Sequence, residues 1–279
     1  EMNYDGIIFT DGLEMKAAYN GIDPDSVCLQ AIMAGNDIML LPIDVEASMQ
    51  IVIDAAKNNP DVKNRVEESC KKILRYKYQL GLNNYESQSV ERLNNDLHQS
   101  RYYNLKQRLY NEAVTMLVNK KNILPLKKNN DKKIAVVTFG KDNSISKRLN
   151  DNGIENTSFL LNKDASSEEM KRTAKQLKSY DYVVLNIRNT SSYPSKNYGI
   201  TPAMISFVNN IPNSTKLIFN LFGSPYAVDK FNFSRNLSSL LIGYEDNVMV
   251  ENAIVDVLVG KMSPKGKLPV SLKKYKCGY

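Results

Sequence analysis

Gly6-Ile7-Ile8-Phe9-Thr10-Asp11-Gly12 is a short apolar run opened by glycine and closed by aspartate and glycine. It is too short for a helix and rich in β-branched and aromatic side chains. It therefore reads as a strand buried on both faces, the kind found in parallel sheets. Asp11 stands at its carboxyl end, which is where functional side chains gather in parallel sheets and barrels. A carboxylate there serves as a nucleophile, a base or a metal ligand, or it caps the helix that follows.

Working outward, residues 25–34 have a helical pattern with Val27, Ala31 and Ala34 on one face, and Gly35 ends it as a helix C-cap does. Asp37-Ile38-Met39-Leu40-Leu41 is a second buried strand, stopped by Pro42. Residues 45–57 and 61–78 are predicted helices. The second carries Val62, Val66, Cys70, Ile73 and Leu74 as its apolar stripe, and Gly81 ends it. Residues 83–103 are polar and aperiodic, as a linker is. A helix is predicted over 104–118, with Leu105, Leu109, Ala113 and Met116 on its buried face.

Beyond it, strands are predicted at 134–139, 158–161, 182–187, 217–221 and 239–242. Helices are predicted at 145–150, 167–178, 203–209, 225–231 and 248–258. The alternation predicts a mostly parallel sheet with helices on both faces.

Composition excludes several classes. The 279 residues are 42% apolar and 24% charged, which is ordinary globular composition. No stretch of about 18 apolar residues is present, so no membrane-spanning helix is expected. The net charge is +7, but lysines far outnumber arginines. The run Lys120, Lys121, Lys127, Lys128, Lys132 and Lys133 has no interleaved aromatic, so it reads as solvated surface, not as a nucleic-acid site.

The three cysteines, Cys28, Cys70 and Cys277, are far apart and form no CxxC, and Cys28 and Cys70 read as small buried residues. The single histidine, His98, sits in the polar stretch and reads as solvated, which excludes a multi-histidine metal site. No phosphate-binding glycine motif follows any strand, and Ser191, Ser192 and Ser195 form no nucleophile elbow.

The longer stretch from Tyr4-Asp5-Gly6 through Thr10-Asp11-Gly12-Leu13-Glu14-Met15 resembles the nucleophile signature of glycoside hydrolase family 3, in its bacterial β-N-acetylhexosaminidase branch. Ala34-Gly35-Asn36-Asp37 resembles that family's A-G-x-D segment. Arg65, Ser69, Ile73 and Leu74 match its following helix, with Lys72 in place of an arginine. Glu14 stands where a small polar residue is usual. Glu112 to Asn119 and Leu124-Pro125-Leu126 resemble the opening of the family's C-terminal domain. Gly243-Tyr244-Glu245, Val257-Leu258-Val259-Gly260 and Ser263-Pro264-Lys265-Gly266-Lys267-Leu268-Pro269-Val270 resemble its close.

The resemblance implies an α/β fold. Residues 1–82 would be the C-terminal part of a (β/α)8 barrel, 83–103 a linker and 104–279 an α/β sandwich domain. It implies a retaining hydrolase of terminal β-linked N-acetylglucosamine or related β-glycosides, with Asp11 as nucleophile and Met15 near the sugar. Met15 also fits a core methionine. The substrate would be a cell-wall or glycan carbohydrate, with no metal or organic cofactor, in the bacterial envelope or secreted.

Asp5 and Asp37 read as turn and strand-edge residues without a catalytic role. A barrel of this type needs eight strands and about 250 residues, and only two such strands are readable here. The branch's histidine–aspartate acid/base motif is absent, and His98 does not match it. Because Glu1 precedes Met2, the chain is expected to begin inside a longer protein that carries the acid/base. Glu245, just after a strand, is the candidate acid of a glucosidase-like arrangement, or else a cap or loop ion pair. The alternative for the whole chain is a catalytically inactive carbohydrate-binding or scaffold remnant.

Overall fold

The computed structural model describes residues 4–87, 89–128 and 131–279. Gln88, within the stretch read as linker, and Glu1–Asn3 lie outside the described residues. The chain divides into two compact units, Glu1–Glu91 and Arg92–Tyr279.

In the first unit, strands β1 (Phe9–Gly12) and β2 (Ile38–Leu40) pair in parallel, Phe9 opposite Ile38 and Gly12 opposite Leu40. The strand begins three residues later than the apolar run predicts, so Asp11 lies within its last turn of pleat instead of just beyond it. Helix α1 (Val27–Met33) follows a 3-10 turn at Pro24–Ser26, and it buries Val27, Cys28 and Ile32. Ala34, expected on that face, is exposed, and Gly35 takes the left-handed conformation (φ 108°) at the helix end.

Helix α2 (Val45–Asn58) is capped by the Asp44 side chain, which accepts from Ala47 N–H at 3.0 Å. Helix α3 (Pro60–Gln79) has Pro60 in its first turn behind the Asn59 cap. Two members of its expected apolar stripe, Cys70 and Leu74, are exposed. The residues buried on α3 are Val62 and Ser69. The reason is a buried carboxylate facing this helix, described below: the inward face is polar at its centre. Cys28 is buried as expected.

The second unit opens with two helices, α4 (Leu93–Leu97) and α5 (Ser100–Ala113), within and after the stretch read as linker. The helix predicted to reach residue 118 stops at Ala113, and Thr115–Asn119 is instead strand β3. Leu105 and Leu109 are exposed, while Val114 and Leu117 are buried. Helical periodicity misreads this segment because Thr115 and Val118 are β-branched and pair with Ile242 and Leu240 of a strand far along the chain.

Strands β4 (Ile134–Phe139), β5 (Thr157–Leu161), β6 (Tyr182–Ile187), β7 (Lys216–Leu221) and β8 (Leu237–Ile242) follow. The sheet order is β3-β8-β7-β6-β4-β5, parallel except for β3. Helices α6 (Ser144–Asp151) and α9 (Val248–Leu258) pack with Val136, Val184 and Ile218 on one face. Helices α7 (Ser167–Gln176) and α8 (Pro202–Asn209) pack with Val137, Leu185 and Phe219 on the other. The central strands are mostly apolar, which makes them readable, although Thr138, Asn186, Asn220 and Ser239 are buried among them. Residues 225–230, expected as a helix, form a 3-10 segment behind Pro225.

Candidate active site

Asp11 is exposed in β1, with its Oδ1 accepting, among the described residues, the neighbouring Gly12 N–H at 2.8 Å. It caps no helix, because residues 13–22 form turns. Its strand is held along the edge that faces β2. Leu13 N–H donates to Leu40 O at 2.9 Å, and Leu40 N–H donates to the Thr10 hydroxyl at 2.9 Å. Asp37 N–H donates to Ile8 O at 2.8 Å. A free carboxylate on an anchored strand end is a placed reactive group. Met15 sits in the following turn, 46% exposed, so it is not a core residue.

Asp37 corrects its reading as a strand-edge residue. Its side chain is fully buried and takes partners from three directions. The Arg65 guanidinium approaches Oδ1 at 3.0 Å and the Ser69 hydroxyl donates to the same oxygen at 2.7 Å. Lys72 Nζ and Ile8 N–H donate to Oδ2, both at 3.0 Å. Arg65 also donates to Gly35 O at 2.7 Å and to Ser69 Oγ at 2.7 Å, and Lys72 donates to Gly6 O at 3.2 Å.

Burial alone would raise this carboxyl. The hydrogen bonds from Ser69, Ile8, Lys72 and Arg65 outweigh it and hold Asp37 well below the usual carboxylate range. The cluster ties the start of β2, the approach to β1 and helix α3 into one body. Arg65, Ser69 and Lys72 recur at helical spacing on one face, which marks a polar stripe in the sequence but not the carboxylate it faces. Lys72, where an arginine is usual, still reaches the carboxylate.

The other candidates belong to the second unit. His98 is exposed at the end of α4, its Nδ1 3.0 Å from Asn94 O. Glu245 is exposed at the carboxyl end of β8, where it accepts from the Tyr110 hydroxyl and, at 3.0 Å, from Asn247 Nδ2. The Glu245 contact, with partial burial, pushes the Tyr110 phenol up. Asn247 simultaneously caps α9, accepting from Met249 and Val250 N–H.

In this sheet the strand order reverses between β4 and β6, which is the usual ligand crevice of an open parallel sheet. Here Arg188 follows the end of β6. The guanidinium pairs with Glu251 at 2.5 Å, Asp246 at 2.7 Å and Asp142 at 3.2 Å. The switch point thus carries an ion-pair network centred on Arg188. Among the described residues no cluster of three or more His, Cys, Asp or Glu has the arrangement of a metal site. No helix of the described residues is long and apolar enough to cross a membrane.

Comparison with known proteins places this geometry. Residues 1–76 match the glycosyl hydrolase family 3 N-terminal domain, and residues 114–278 match the glycosyl hydrolase family 3 C-terminal domain. A putative β-xylosidase from Formosa agariphila is 28% identical over 114 residues, 41% of this chain and 15% of that protein. A lysosomal β-glucosidase from Dictyostelium discoideum is 26% identical over 140 residues, 48% of this chain and 17% of that protein.

The structure of a family 3 β-N-acetylglucosaminidase from Paenibacillus superposes with a TM-score of 0.71 at 18% identity, over 94% of this chain and 50% of the other. The chain thus spans under a fifth of the length of these curated relatives and half of that structure. With a domain match at each end, covering both the strand that bears Asp11 and the six-stranded sheet, the chain belongs to glycosyl hydrolase family 3.

Proposed function

We propose that these residues form part of a retaining glycoside hydrolase that removes terminal β-linked N-acetylglucosamine, or a related β-glycoside, with Asp11 as its nucleophile. The observation that carries the reading is the placement of Asp11: a solvent-facing carboxylate on an anchored parallel strand, inside the stretch that matches the family's N-terminal domain. The β-N-acetylglucosaminidase neighbour supports the sugar, and the β-xylosidase and β-glucosidase relatives support the wider β-glycoside class.

In this reading, Asp11 Oδ attacks the anomeric carbon as the glycosidic bond breaks. The leaving oxygen takes a proton from a general acid. Water, deprotonated by that same group, then cleaves the glycosyl ester and restores the Asp11 carboxylate. Met15, exposed in the turn after β1, lies against the sugar ring. The acid/base and the remaining barrel units reside outside these 279 residues. The partial spans of the chain on its relatives support that division.

The decisive experiment treats the native protein carrying this chain with a 2-fluoro-glycoside that arrests the glycosyl-enzyme, followed by peptide mapping. Label on the peptide containing Asp11, and loss of aryl N-acetylglucosaminide turnover in Asp11→Ala, are the expected results. Label elsewhere, or an unchanged rate, overturns the assignment.

A second reading, an inactive carbohydrate-binding or scaffold remnant, is favoured by the setting of His98, the sole histidine, which is exposed with its Nδ1 3.0 Å from Asn94 O. It predicts sugar binding without label or turnover.

A further inference from the structure

The basic run at 120–133 acquires a different meaning in three dimensions. Strands β4, β6, β7 and β8 all begin at one edge of the large sheet, opposite the edge that carries Arg188 and Glu245. A cavity of about 580 Å³ opens there. Lys120, Lys121 and Lys127 line it, joined from far along the chain by Lys216 and Arg235. No aspartate or glutamate is among its lining residues. The Lys216 ammonium stands 5.4 Å from the centre of the Tyr182 ring. Lys132, also in the lining, pairs with Asp181 at 3.4 Å outside it. Gathered like charges raise the local potential and repel one another, and an anion offsets both.

The frame around these cations is fixed. Asn236 is buried and its amide donates to Ile211 O and Pro212 O, each at 3.3 Å, which holds the turn that presents Asn213 and Lys216. Asn119 Oδ1 accepts from Leu124 N–H at 3.1 Å, bracketing a turn in which Lys121 and Asn122 hold left-handed conformations (φ 52° and 51°). Non-glycine residues persist there only where the surroundings enforce it. Concavity with fixed polar walls suits a compact oxyanion. It suits neither a flat lipid surface nor a nucleic-acid strand, which needs aromatic platforms for its bases. The only aromatic in the lining is Tyr182, and Lys216 covers its ring.

We propose that this pocket binds a phosphate or sulfate group, independently of the chemistry at Asp11. The test is calorimetric titration of the 279-residue chain at constant ionic strength with pyrophosphate and, separately, with glucose 6-phosphate. The expected result is saturable one-to-one binding that weakens at least about tenfold in Lys216→Gln/Arg235→Gln. Stronger binding of the sugar ester than of pyrophosphate identifies a glycan source for the group, and the reverse identifies a free phosphate.

Lys128→Gln/Lys133→Gln removes two charges of the same run that lie outside the lining and leaves affinity unchanged. If the first double variant fails to fold, Lys121→Glu at the exposed lip gives the same loss. Equal weakening by both double variants shows a diffuse charge effect and overturns the proposal. So does tighter binding of a single-stranded oligonucleotide or an anionic vesicle at matched charge.

Discussion

Asp37 shows how one residue governs the setting of another. Its carboxylate is buried, yet it is held charged by two cations, a hydroxyl and a backbone N–H. Asp37→Asn leaves Arg65 and Lys72 without their anion, and it should destabilise the first unit by about 3 kcal/mol. A denaturant melt followed by a probe in residues 4–87 measures it. Ser69→Ala removes a single neutral donor and should cost about 1 kcal/mol.

The pH dependence follows the same logic. A carboxyl held below its unfolded value of about 3.9 adds stability above that pH and loses it as pH falls toward the folded value. Melts of the native sequence should therefore weaken steadily from about pH 5 to pH 3. Those of Asp37→Asn should lose less over that window. Parallel curves for the two proteins would remove Asp37 from the linkage.

At the scale of elements, caps and close approaches set the boundaries. Ser166 accepts from Glu169 N–H at 3.1 Å at the start of α7, so Ser166→Ala should cost about 1 kcal/mol, and Ser166→Asp should restore most of it. Gly266 lies in the closing Gly-Lys-Leu-Pro-Val segment. Its N–H donates to Val114 O at 3.0 Å, just before β3. A side-chain carbon there would sit 2.0 Å from Ala113 O, a backbone atom that has nowhere to move. Gly266→Ala should therefore destabilise the second unit by at least about 2 kcal/mol, read as a lower melting temperature of that unit. This contact gives the glycine of the closing motif a physical reason: the segment lies against the junction of α5 and β3.

At the scale of the whole molecule, the two units differ in what they bury. The first has a small cluster of Leu13, Val27 and Cys28 and a sheet of two strands. The exposed side chains of Phe9, Leu41, Val45 and Met49 lie in the same unit. A two-stranded sheet with open edges is marginal by itself and prone to association. The second unit packs a core on each face of its six-stranded sheet. Residues 92–279 produced alone should melt cooperatively. Residues 1–91 produced alone should show no cooperative transition and should aggregate, as checked by calorimetry and light scattering. A sharp, monomeric transition for 1–91 would contradict this.

By itself the sequence determined the strands from β4 to β8 and the helices between them, except at 225–231, because strands buried on both faces are mostly apolar. It also determined the strand that bears Asp11 and the family that its flanks resemble, because those signals are local. Tertiary structure alone decided three other matters. It ended α5 at Ala113, since the partner strand of β3 is far along the chain. It turned Asp37 from an edge residue into the centre of an ion cluster, since burial and partners at a distance set a carboxylate's role. And it drew Lys216 and Arg235 to the lysines at 120–127, since charges separated by a hundred residues share a field only once the chain has folded.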